Sequence, residues 1–215
     1  MKILKYYPVF WNISGKKCVV VGGGEVAQRK VTRLLDCGAK VFVVSPVLTE
    51  ELILLKDKNI ITHHAKEYSV EDINGAALVI GATDDENINA AVSRDAIKKG
   101  IPVNIVDDPQ KCDFILPSLV ERGDLTIAIG TGGKSPALAR YLRERLEETF
   151  GEDYAILAGV LGKLRDKMEK NSGQGKVWFD KLMDSGLLEA IRGRDKKLVK
   201  KIIREITGEE VEFEF

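Results

Sequence analysis

Short runs of apolar residues alternate with longer stretches in which apolar positions recur every three or four residues. "CVVVG" (18–22) is a β-branched run ending in glycine, and "GEVAQRKVTRLLDCG" (24–38) spaces Val26, Val31, Leu34 and Leu35 as a helix would. Gly38 stands where that helix would stop. "KVFVVS" (40–45) predicts a second strand, and Thr49 followed by two glutamates opens a helix over 49–59. The rhythm continues through "IITHHA" (60–65), "AALVIGAT" (76–83), a helix at 85–100 and "PVNIVD" (102–107). Strands this apolar, separated by helices, predict a doubly wound α/β unit. Its parallel sheet is covered on both faces, and its ligand crevice lies at the carboxyl ends of the strands.

After Pro109 the pattern changes. "DFILPSLVERGDLTIAIGTGG" (113–133) reads as two strands joined at "ERGD" with no helix between them, which predicts antiparallel pairing. A helix follows over 135–151, with Ser135 as N-cap, Pro136 in the first turn and Gly151 at the end. Two strands and one helix cannot close a core alone, so a second copy of the chain is the expected cover. The remainder reads as helical: 152–171, 175–193 and 195–208, punctuated by Gly151, "NSGQG" (171–175) and Gly193. The expected organisation is therefore 1–112 as the nucleotide domain, 113–150 as a small α+β dimerisation segment, and 151–215 as a helical domain.

Composition narrows the partners more than the fold. With 33 Lys+Arg against 33 Asp+Glu, nothing in the overall charge points to nucleic acid or a membrane surface. No run of about 18 apolar residues occurs, and the first residues hold no apolar stretch of secretion-signal length. Cys18, Cys37 and Cys112 are odd in number and have no paired spacing, so they read as ordinary thiols of a reducing cytoplasm.

The chemistry begins at Gly22-x-Gly24-x-x-Ala27, between a predicted strand and a predicted helix. Gly22 permits the tight turn, and Gly24 lets a pyrophosphate approach backbone N–H groups at the helix start. Ala27 allows close helix–strand packing. The bland alternative is a glycine turn that serves only compaction. The second strand ends Val44-Ser45-Pro46-Val47, without the usual carboxylate for the adenosine ribose. The Ser45 hydroxyl or backbone groups must then hold the ribose. No arginine follows the strand to mark a 2′-phosphate, which favours NAD over NADP. Ala82 and Thr83, at the end of a later strand, fall beside the nucleotide.

"NIVDDPQKCDFILPS" (104–118) starts at the carboxyl end of a strand and carries Asp107 and Asp108 into the crevice. Removing a hydride from carbon requires a group for the accompanying proton, a role that an aspartate can fill. Spacing alone leaves open whether the pair acts or merely shapes the turn before Pro109. His63 and His64 are the chain's two histidines. Adjacent on a strand, they face opposite ways and cannot form a paired ligand set, so no metal site is expected.

In this order, "GGGEVAQRK", "ATDD", "NIVDDP", "FILPS" and "GTGGKSPALARYLRERLE" resemble the precorrin-2 dehydrogenase family, the N-terminal module of siroheme synthases. The likeness covers residues 5 to about 150 closely and the tail loosely. It implies a Rossmann-type domain, NAD-dependent oxidation of precorrin-2 to sirohydrochlorin, and a homodimer whose central segment is exchanged. It implies a catalytic aspartate at Asp107 and tetrapyrrole contacts from Asn104 and Ser118. Glu25-Val26 and Pro46-Val47 match backbone contacts to NAD. A polyanionic ring also calls for cations, with Arg140 a candidate. Some relatives insert ferrous iron as well, which the resemblance leaves open. Two further readings compete: a non-catalytic dinucleotide sensor, and a hydroxy-acid dehydrogenase. The latter would need a catalytic His or Lys on a second domain, and no His follows residue 64.

Overall fold

The computed structural model describes residues 5–168 and 175–215. The chain forms two compact units, Met1–Leu116 and Pro117–Phe215. The first unit runs β1 (Lys17–Val21), α1 (Glu25–Asp36), β2 (Lys40–Val44), α2 (Glu50–Asp57), β3 (Thr62–His64), β4 (Leu78–Gly81), α3 (Glu86–Lys99) and β5 (Val103–Ile105). All five strands are parallel, in the order β3-β2-β1-β4-β5. That is the doubly wound arrangement the pattern predicts, with its switch point between β1 and β4.

Alternation along the strands builds the two layers. Cys18 and Val20 of β1 join Val41, Val43, Leu78 and Ile80 in one core, against Ala27, Val31 and Leu34 of α1. Val19 and Val21 join Val44, Val79 and Val103 in the other, against Val92 and Ala96 of α3. Burial on both faces is why these strands carry no polar alternation. Side chains start two of the helices: Thr49 Oγ1 accepts from Leu52 N, and Asp85 Oδ1 accepts from Asn87 N at 2.7 Å. At α1 the N-cap is Gly24, which offers no side chain.

The register sets Val44, Val21, Gly81 and Ile105 level at one edge. Residues just beyond them therefore share that edge. The link from β3 to β4 carries no helix, and its Tyr68, Ile73 and Ala76 pack into the core on the α3 face. The chain after β5 turns back on the α1 face, where Phe114 packs against the core of that side and Asn104 Nδ2 donates to the Phe114 carbonyl at 2.9 Å.

The second unit opens with the antiparallel pair β6 (Ser118–Arg122) and β7 (Leu125–Ile129), followed by α4 (Pro136–Thr149). The Ser135 hydroxyl caps α4 at Leu138 N, as expected. Next come α5 (Asp153–Met168), α6 (Gly175–Met183), α7 (Leu187–Arg192) and α8 (Lys196–Thr207). Leu157, Leu164, Leu182, Leu187, Val199 and Ile203 form their core. Up to residue 174, the break expected at "NSGQG" lies outside the described residues.

One expectation for this unit is corrected. The single helix read over 175–193 is two helices, because Gly186 takes φ 78° and Ser185 Oγ donates to Leu182 O at 2.6 Å. The break lets Leu182 and Leu187, on different axes, both enter the core. The last helix ends at Thr207, close to the expected 208. Residues 209–215 form no helix or strand, and Val211 and Phe213 among them are buried. Lys163 and Lys167 donate to the carbonyls of Glu212 and Glu210, each at 2.6 Å, and replace a partner strand.

Candidate functional site

The β1–α1 turn is wedged between two neighbouring loops. Gly22 has φ 122°, and a Cβ on it would collide with the Ala82 carbonyl. A Cβ on Gly23 would strike the Val47 carbonyl and stand 2.8 Å from Ser45 Oγ. Around Gly24, by contrast, the space is open: nothing lies within 4 Å of a built Cβ. With no side-chain cap, the first N–H groups of α1 face this opening as unpaired donors. The positive end of the helix dipole adds to them, so a dinucleotide pyrophosphate fits here. Glu25 and Val26 lie at that helix start, and Ala27 is fully buried beneath it.

Ser45 is buried, and its hydroxyl donates to Val47 O at 2.7 Å. Its proton is spent inside the loop, and only its lone pairs remain for a ribose hydroxyl. Pro46 and Val47 are exposed at the rim. Thr83 is held by Asn89, whose Nδ2 donates to Thr83 O at 2.8 Å and whose Oδ1 accepts from Thr83 N. Sequence reading missed Asn89. Its signal is a polar residue on the buried face of α3, where burial requires a partner.

A second opening, of about 470 Å³, lies beside the glycine turn. Glu25, Gln28, Arg29, Thr49, Glu50 and Glu51 line it. Thr49 N donates to Gly23 O at 2.9 Å and its hydroxyl to Gln28 Oε1 at 2.7 Å, so the start of α2 is tied to the turn.

Beyond β5, a cleft of about 210 Å³ is lined by Lys30, Asn104, Asp107, Asp108, Cys112 and Leu116, among others. Small-ligand sites span about 300–1,000 Å³, so this cleft is too small to enclose a whole ligand of that kind. The two aspartates, indistinguishable by spacing, differ here. Asp108 caps a 3-10 turn (Pro109–Lys111), accepting from Gln110 N and pairing with Lys111 Nζ at 2.7 Å. The Lys111 bond holds its carboxyl below the usual range. Asp107 sits at φ 60°, a left-handed conformation uncommon for non-glycine residues, and its carboxylate has no hydrogen-bond partner among the described residues. Asn104 is 8% exposed and spends its amide donors on Phe114 O and Cys112 Sγ. Cys112 accepts from Ile105 N at 3.1 Å, and burial pushes its thiol up.

Ser118 begins β6 and Arg140 lies on exposed α4, paired with Glu144 at 2.9 Å; both belong to the second unit. His63 Nε2 meets Ser45 O at 2.8 Å, and His64 Nδ1 meets Asp72 Oδ1 at 3.2 Å. Buried Asp72 also takes Lys66 and Ser69, so both histidines serve loop structure. Among the described residues no cluster of three or more metal-ligating side chains occurs.

Fold and turn together define a dinucleotide-binding protein. Comparison with known families agrees: residues 9–118 match the model described as "Putative NAD(P)-binding", and residues 122–149 match "Sirohaem biosynthesis protein central". The chain belongs to this NAD(P)-binding family, in the branch that carries the sirohaem-biosynthesis central segment. It is 41% identical to a siroheme synthase of Nitrosomonas europaea over 90% of its own length and 42% of the relative. To siroheme synthase 1 of Aeromonas salmonicida it is 37% identical, over 96% of this chain and 45% of the relative. The chain thus spans less than half the length of these curated relatives. It shares its fold with a solved structure titled "SirC, precorrin-2 dehydrogenase", with TM-score 0.80 and 24% identity over 95% of this chain and all of that one.

Proposed function

We propose that the protein oxidises precorrin-2 to sirohydrochlorin with NAD as the hydride acceptor. The observation that carries this reading is Asp107: an unengaged carboxylate at the end of β5, on the sheet edge that also bears the open glycine turn. The reaction removes a hydride and a proton from the macrocycle. A bound nicotinamide supplies the hydride acceptor. Asp107 takes the proton and passes it to solvent, which its exposed position allows. Backbone N–H groups after Gly24 orient the pyrophosphate, while Pro46, Val47, Ala82 and Thr83 border the nucleosides.

The opening beside the turn supports NAD over NADP as the cofactor in this reading. There Glu25, Glu50 and Glu51 set three carboxylates against one arginine, Arg29, and a 2′-phosphate would be repelled. Ser118 and Arg140 contact the tetrapyrrole in this reading, and Asn104 does so through the loop it holds. A homodimer with an exchanged central segment is part of the proposal. Leu138, Tyr141 and Leu142 lie three and four positions apart on α4 and stay exposed, which gives a second copy an apolar surface to cover. The three free cysteines suit a reducing cytoplasm.

Purified protein given precorrin-2 and NAD is expected to produce sirohydrochlorin, followed by its absorbance together with that of NADH. The catalytic efficiency with NAD should exceed that with NADP by at least about tenfold, the effect of a single unfavourable charge contact. Absence of sirohydrochlorin would remove the proposal, and equal efficiencies would remove its cofactor preference.

A further inference from the structure

Lys30 takes no part in the site outlined so far, yet it is the cation lining the cleft that holds Asp107. It projects from α1, half-buried, and no hydrogen bond or ion pair joins it to any described residue. Burial lowers its affinity for a proton, Arg29 adds to this, and Asp107 opposes it. An ammonium group with three donors, partly desolvated and unpaired, is a standing cost that an arriving anion relieves. Lys30 and Asp107 thus offer opposite charges to one cleft without bonding to each other.

We propose that Lys30 anchors a carboxylate of the ring substrate and thereby holds the ring edge against Asp107. This rests on the tetrapyrrole reading above and adds a residue to it. The other anion available is a cofactor phosphate, and position argues against it. Lys30 is six residues beyond Gly24, about 9 Å along the helix axis from the N–H groups that face a pyrophosphate. It also emerges on the side of α1 away from Glu25, Gln28 and Arg29, which line the opening beside the turn. The Lys30 cleft is lined instead by Asn104, Cys112 and Leu116, from β5 and the chain that follows it.

The test compares full-length wild type, Lys30→Met and Lys30→Arg at saturating NAD with precorrin-2 varied. Removing a charge-assisted hydrogen bond from a part-buried site predicts a KM about tenfold higher or more in Lys30→Met, with kcat within about threefold. Affinity for NAD, read by fluorescence titration, should stay within about twofold and reports that the variant is folded. Lys30→Arg should restore KM to within about threefold, since the charge is kept and only the geometry changes. Sirohydrochlorin titrated without NAD and followed by absorbance should bind Lys30→Met about tenfold more weakly. Wild-type turnover with an unaltered KM in Lys30→Met overturns this assignment alone. So does a loss of NAD affinity matching the rise in KM, which would give the ammonium to the cofactor. A wild type that binds NAD but leaves precorrin-2 unoxidised overturns the tetrapyrrole reading and this assignment with it.

Discussion

Asp107→Asn protein is expected to bind NAD as the wild type does and to lose about 10²- to 10⁴-fold in turnover, the usual contribution of one positioned acid–base group. Asparagine is the informative replacement because of the backbone. Asp107 sits at φ 60°, where asparagine is among the non-glycine residues best tolerated. Alanine there would add about 1–2 kcal/mol of strain and confuse a loss of chemistry with a loss of fold. Asp108→Asn serves as the contrast. It weakens the Lys111 pair at an exposed site and should leave turnover within about threefold, as surface ion pairs contribute little. The check is steady-state kinetics on both variants alongside NAD titration and thermal melting. Equal losses in the two would mean that the loop, and not one carboxylate, is what matters.

Gly22→Ala and Gly24→Ala should fail in opposite ways. At Gly22 the new methyl meets the Ala82 carbonyl, and neither backbone can withdraw. Ala82 N is bonded to Val21 O at 2.8 Å, and Gly22 N to Val44 O at 2.9 Å. The φ of 122° adds strain of its own, and together these should cost about 3 kcal/mol or more of stability. At Gly24 the backbone is ordinary, φ −83°, and the methyl enters open space. Stability there should change by less than about 1 kcal/mol, while the methyl occupies the approach of the pyrophosphate and weakens NAD binding at least about tenfold. Urea unfolding and NAD titration on each variant separate the two. Reversed outcomes would mean the pyrophosphate does not approach this turn.

The sequence made the first unit legible because its signals are local. Apolar runs mark strands buried on both faces, Thr49 and Asp85 mark helix starts, and glycine spacing marks the turn. What stayed hidden depends on where elements meet. Lys30 reads as a solvated lysine until the chain after β5 folds back beside α1 and lines a cleft with it. Asp107 and Asp108 separate only once one backbone turns left-handed and the other carboxylate is spent on Lys111. The missing acid at the end of β2 is a similar case: carboxylates reach that region from α1 and α2.

The central claim is that nicotinamide and Asp107 act on one ring in one place. A crystal structure of the protein with NAD and sirohydrochlorin bound together tests it most directly. The account predicts the nicotinamide against one edge of the macrocycle and the Asp107 carboxylate within hydrogen-bond reach of that edge, about 2.6–3.2 Å. Ring and nicotinamide bound apart, with Asp107 facing neither, would contradict it.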